Sequence, residues 1–199
     1  MKLRFSPASP YVRKVVVSAI ETGLDGRIER VTTDTNDPKS GLYAENPLGK
    51  VPSLTLDDGG VLFDSPVICE YLDGLHQGPK LFPAAGPARW TALRRQALGD
   101  GICDAALLAR YEVLRPQAEQ SASWIAKQKD KIARGLDAIE AEAGAFGEGI
   151  DIGLIAIACA LGYLDLRFAA DAWRDARPAL AGWFKHFAER PSMRATAIA

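Results

Sequence analysis

The sequence is poor in the residue types that build metal centres and disulfide frameworks. Its two histidines, His76 and His186, have no evident metal partners, and its three cysteines (Cys69, Cys103, Cys159) are odd in number and widely separated. None has zinc-type spacing, so no metal is expected, and a reducing compartment suits them better than a disulfide scaffold. Charge of one sign is lacking too. The 24 basic and 25 acidic residues leave a formal net charge of −1, which offers no field for nucleic acid or an anionic membrane. The longest apolar-leaning run, Ile152 to Leu164, has thirteen residues, too few to span a bilayer and suited to a buried helix. The N-terminus has Lys2 and Arg4 but no apolar h-region, so a cytoplasmic chain is expected rather than a secreted one. There is no G-x-S-x-G of a hydrolase, and "GEGIDIG" misses the dinucleotide-binding spacing.

What is present is an ordinary globular mixture, 48% apolar and 25% charged over 199 residues, enough for one large domain or two small ones. The first part, residues 1–76, alternates between periods. "KLRFS" (Lys2 to Ser6) reads as a strand, Tyr11 to Thr22 has helical spacing with Val12, Val15, Val16 and Ile20 on one side, and Arg27 to Thr33 reads as a second strand. That order implies a parallel pair with a right-handed crossover. "VPSLTLDDGGVLF" carries a hairpin signal at Asp57-Asp58-Gly59-Gly60. "DSPVICEYLDGL" reads as a helix with Ser65 as N-cap and Pro66 at its first position.

A Gly- and Pro-rich stretch, 77–86, then reads as a linker. Beyond it, 87–199 shows helices at Trp90 to Leu114, Ala118 to Ala143, Ile152 to Phe168 and Pro178 to Glu189, the third apolar nearly all round and therefore central. The fold class expected is a small α/β domain followed by an all-helical domain.

This layout, with four stretches in order, resembles the cytosolic glutathione transferases. The stretches are "SPYVRK" (Ser9 to Lys14), "NPLGKVPSL" (Asn46 to Leu54), "FDSPVICEYL" (Phe63 to Leu72) and "IAIACALGYLDLR" (Ile155 to Arg167). The resemblance covers essentially the whole chain. It implies a thioredoxin-like N-terminal domain, an all-helical C-terminal domain, glutathione as co-substrate and a homodimer. It departs at one point. The central helix of that family opens with Ser or Thr and an Asp three residues later, a reciprocal capping box. Here Asp151 stands at the cap and Leu154 at the second position.

By the same resemblance, Ser9 is the catalytic hydroxyl, Pro52 follows a cis bond, and Lys50, Val51, Asp64 and Ser65 bind glutathione. Each assignment has a chemical reason. A free thiol titrates near 8.5 and only its thiolate attacks. Lowering that value by about two units takes roughly 2.7 kcal/mol. One hydroxyl donating to a charged acceptor supplies about 1.5–3 kcal/mol, and a helix N-terminus adds about 0.3–1 kcal/mol. Ser9 before Pro10 is also the pattern of a plain helix cap, and the two roles are compatible: the oxygen accepts from the helix while its hydrogen remains available. A cis Val51-Pro52 bond would turn the Val51 amide and carbonyl outward to pair with an extended tripeptide. Asp64 suits an ammonium, Ser65 at a helix start suits a carboxylate, and Lys50 suits the glycyl carboxylate.

Cys103, Leu107 and Tyr111 follow i, i+4, i+8 and are candidates for the electrophile site, with plain core packing as the alternative. Gly99 and Gly101 in the same helix indicate a kink or a close backbone approach. The function expected is glutathione conjugation to small hydrophobic electrophiles or reduction of organic hydroperoxides. The rivals are a non-catalytic glutathione-binding protein and a glutathione-dependent lyase or etherase. A serine at position 9 cannot form the mixed disulfide of thiol exchange.

Overall fold

The computed structural model describes residues 1–197. β1 (Lys2–Phe5), α1 (Pro10–Glu21) and β2 (Glu29–Thr32) form the strand–helix–strand unit, and β1 pairs with β2 in parallel. A short α2 (Leu42–Glu45) precedes the hairpin of β3 (Ser53–Thr55) and β4 (Val61–Leu62), whose strands are antiparallel. The hairpin closes where the Leu56 amide donates to the Gly60 carbonyl at 2.8 Å, with Gly59 at φ 87°. The sheet order is β2-β1-β3-β4. α3 (Ser65–Gly74) follows, and α1 and α3 bury Val12, Val15, Ile68 and Leu72 in the core. This is a thioredoxin-like domain.

The residues between α3 and the next helix are not a loose tether. The Asp73 carboxylate accepts from the Leu81 and Phe82 amides at 2.8 and 3.1 Å, and both apolar side chains are buried. All-helical structure then begins with α4 (Gly86–Val113), four residues earlier than the expected start at Trp90, and continues with α5 (Ala122–Ala143), α6 (Ile152–Arg167), α7 (Pro178–Phe187) and α8 (Pro191–Ala195). α6 is buried from Ile152 to Leu161 without a break. Asp151 caps it, accepting from the Leu154 amide at 2.8 Å.

Two contacts fix how the halves meet. Gly99 of α4 lies against the backbone of α6, where an added Cβ would come within 2.7 Å of the Ala156 carbonyl carbon. Lys14 of α1, 1% exposed, ends on both oxygens of Asp100 on α4 at 2.7 and 2.6 Å. Burial raises the pKa of Asp100 against the opposing pull of Lys14. Farther along, Arg190 and Ser192 at α8 hold Glu21 at the end of α1.

Candidate functional site

A cleft of about 710 Å³ opens between the two halves, a volume within the usual range for a small-molecule site. Its N-terminal wall is made by the start of α1, the loop before β3 and the residues before α3. Its other wall belongs to α4 and α6.

Ser9 is the N-cap of α1. Its backbone is extended, and its Oγ accepts from the Val12 amide at 3.3 Å. Pro10 occupies the first helical position, where a missing amide costs nothing. The hydroxyl lies on the cleft and donates to no acceptor among the described residues. Tyr11 also lines the cleft, but its hydroxyl donates to Asp104 of α4. Burial, and then that hydrogen bond, push its pKa well above the usual phenol value. Ser6, one residue past β1, lies on the cleft floor as well.

The loop opposite is shaped by Asn46. Its side-chain amide donates to the Lys50 carbonyl at 2.8 Å, and its oxygen accepts from the Leu48 amide at 3.0 Å. Gly49 sits at φ 63°. The Val51-Pro52 bond is cis, and Val51 lines the cleft with neither its amide nor its carbonyl paired among the described residues. Lys50 is exposed on the cleft rim and forms no salt bridge among the described residues.

The α3 entrance differs from expectation. Asp64, not Ser65, is the N-cap: its backbone is extended and its carboxylate accepts from the Ser65 amide. Ser65 is already helical, so Pro66 takes the second position. Asp64 lines the cleft, whereas the Ser65 hydroxyl is fully buried and has no hydrogen-bond partner among the described residues. The Phe63-Asp64 bond is also cis.

On the helical wall, Leu107 and Tyr111 face the cleft, but Cys103 does not; it is 2% exposed, within the core. The reason is helical drift. Eight residues at about 100° each leave Cys103 and Tyr111 about 80° apart around the axis. Seven residues leave Asp104 within about 20° of Tyr111, and Asp104 is the residue that lines the cleft. Burial raises all three thiols: Cys69 to about 11, Cys159 to about 12, Cys103 well above its usual value. None is a nucleophile at neutral pH. Arg110, Tyr163 and Arg167 complete this wall, and sequence reasoning missed them. A signal existed for two of them, since Tyr163 and Arg167 stand i, i+4 at the end of a helix whose only other charged residue is Asp165. Among the described residues, no group of three or more His, Cys, Asp or Glu side chains is placed to hold a metal ion, and no helix is long and apolar enough to cross a membrane.

Fold and cleft together define a class: a thioredoxin-like domain with its cis-proline loop, facing an all-helical domain across a small-molecule site. Residues 8–75 match the family model of the glutathione S-transferase N-terminal domain and residues 122–186 that of the C-terminal domain. A GST-like protein of Escherichia coli K12, YibF, itself uncharacterized, is 36% identical over 98% of both chains. A glutathione transferase family member from Pseudomonas fluorescens Pf-5, solved with bound glutathione, is 46% identical with a TM-score of 0.95, covering 100% of this chain and 98% of that one. A glutathione S-transferase from Methylobacillus flagellatus KT, also with glutathione bound, is 38% identical with a TM-score of 0.94 over 100% and 99% of the two chains. The chain belongs to the glutathione S-transferase family.

Proposed function

We propose that this chain is a glutathione transferase that uses Ser9 to hold the glutathione thiol as its thiolate. The observation that carries the proposal is the Ser9 hydroxyl: its oxygen is engaged by α1, its hydrogen has no acceptor among the described residues, and it lies on the cleft. A sulfur placed there meets a hydrogen-bond donor and the positive end of a twelve-residue helix. The thiol proton passes to solvent, and the thiolate then attacks an electrophilic carbon held against α4 and α6. Tyr11 is not a competing donor, because its hydrogen is given to Asp104.

The tripeptide runs along the N-terminal wall in this reading. Val51 offers an unpaired amide and carbonyl for strand-like pairing with the cysteinyl backbone. Asp64 takes the γ-glutamyl ammonium. The Ser65 hydroxyl, unpaired and buried, accounts for the γ-glutamyl carboxylate once the Asp64 side chain releases the Ser65 amide. Lys50, exposed on the rim, takes the glycyl carboxylate. Neighbours at 46% and 38% identity that hold glutathione support glutathione as the ligand.

The working form is a cytoplasmic homodimer. Support for the dimer comes from two large apolar side chains left in solvent, Val67 on α3 and Trp90 on α4, 48% and 68% exposed. Arg89 of α4 pairs with Glu70 of α3 at 2.7 Å.

Substituting Ser9→Ala tests the function. We expect kcat with glutathione and 1-chloro-2,4-dinitrobenzene to fall by about tenfold or more, while KM for glutathione changes little. Unchanged kcat would remove Ser9 from the mechanism.

A further inference from the structure

The helical wall of the cleft carries two cations for which the conjugation reaction as described has no use. Arg110 comes from the last turn of α4 and Arg167 from the last turn of α6, and both line the cleft. Among the described residues, neither has a carboxylate within 4.0 Å, and neither side chain donates a hydrogen bond to protein. The Arg167 Nε is buried and unpartnered. Most other arginines that bridge elements here are paired: Arg4 with Glu45, Arg95 with Glu142, Arg177 with Asp137, Arg190 with Glu21.

A cation in the last turn of a helix complements the helix dipole, which accounts for the charge at both positions. It does not account for two guanidiniums turned into one cavity with their donors unused. Leaving a donor such as the Arg167 Nε buried and unpaired is costly. Both line the cleft with Tyr163, and both oppose the burial that raises the pKa of that phenol. The acidic residues on the cleft are elsewhere engaged or elsewhere placed: Asp104 holds Tyr11, and Asp64 caps α3 on the opposite wall.

We infer that Arg110 and Arg167 make the second-substrate half of this cleft a carboxylate site, so that the electrophile is an organic acid rather than a purely hydrophobic compound. The inference rests on the glutathione-transferase reading and deepens it. A guanidinium presents a planar fork of donors that fits both oxygens of a carboxylate, and Leu107 with the Tyr111 and Tyr163 rings supplies the apolar body of the pocket. With the sulfur at Ser9 and the carboxylate at the two arginines, the electrophilic carbon lies between them.

The test compares two glutathione conjugates, one with a neutral S-substituent and one whose S-substituent carries a carboxylate, on the wild-type protein. Calorimetry would measure the affinities of glutathione, S-propylglutathione and S-(2-carboxyethyl)glutathione, the last two differing in a terminal methyl against a carboxylate. We expect the carboxyethyl conjugate to bind at least about tenfold more tightly than the propyl conjugate, the size of one charge-assisted hydrogen bond. In the Arg110→Gln/Arg167→Gln double variant that ratio should fall to about one. Glutathione binding with equal affinities for the two conjugates, or with the propyl one preferred, overturns the carboxylate site and leaves the transferase reading standing. Failure of all three ligands to bind overturns both.

Discussion

Two hydroxyls reach the cleft from the start of α1, and hydrogen bonding gives them different work. Ser9 keeps its hydrogen free, while Tyr11 spends its own on Asp104 and so stitches α1 to α4. The predicted consequence is that Tyr11→Phe leaves kcat within about threefold of wild type, because no donor to the sulfur is lost. A fall as large as that of Ser9→Ala would move the activating role to Tyr11. The local settings of Ser9, Asp64 and Val51, all of which line the cleft, are legible because they belong to short local patterns, a cap before Pro10, an acid before a helix, an X-Pro bond. The wall opposite is not. Which face of α4 meets the cleft depends on how the helix is rotated against α6, and an i, i+4, i+8 reading drifts by about 80° over two steps. That drift selected Cys103 and passed over Asp104. The Ser-Pro pair points to Ser65 as the cap with Pro66 first in the helix; Asp64 holds the cap instead, one position earlier.

At the scale of elements, the long helices and the strand–helix–strand unit follow from periodicity, since each buries a continuous apolar face. α2 and α8, four and five residues long, have too few residues to carry a period. They are held by tertiary contacts: Leu42 is fully buried, and Ser192 of α8 donates to Glu21 of α1. Gly99 and Gly101, in the interior of α4, separate cleanly. Gly99 is a close approach to the α6 backbone, whereas Gly101 faces open space, and α4 runs through both without interruption. Gly99→Ala should therefore destabilise the protein by about 1–3 kcal/mol, since a rigid backbone must move to admit the methyl group. Gly101→Ala should be neutral or stabilise it by up to about 1 kcal/mol. Urea denaturation of both variants checks this, and equal effects would contradict the packing described at the α4–α6 crossing.

For the molecule as a whole, the site exists only because two halves of different construction are locked together. Lys14–Asp100, Tyr11–Asp104 and Glu21–Arg190 all tie α1 to helices of the second half. The exposed Val67 of α3 and Trp90 of α4 lie outside that lock, and the proposed dimer packs through them. Trp90→Asp should shift the protein from dimer to monomer in sedimentation at micromolar concentration. A wild-type monomer would remove the dimer, and an undisturbed dimer in the variant would move its interface away from Trp90. Neither bears on the thiolate, which is the centre of the account. The direct measurement is calorimetry of glutathione binding near pH 7 in two buffers of different ionisation enthalpy. If Ser9 lowers the thiol pKa by about two units from near 8.5, most bound molecules release a proton, and Ser9→Ala abolishes that release. Glutathione binding with no proton released would contradict thiol activation at this site.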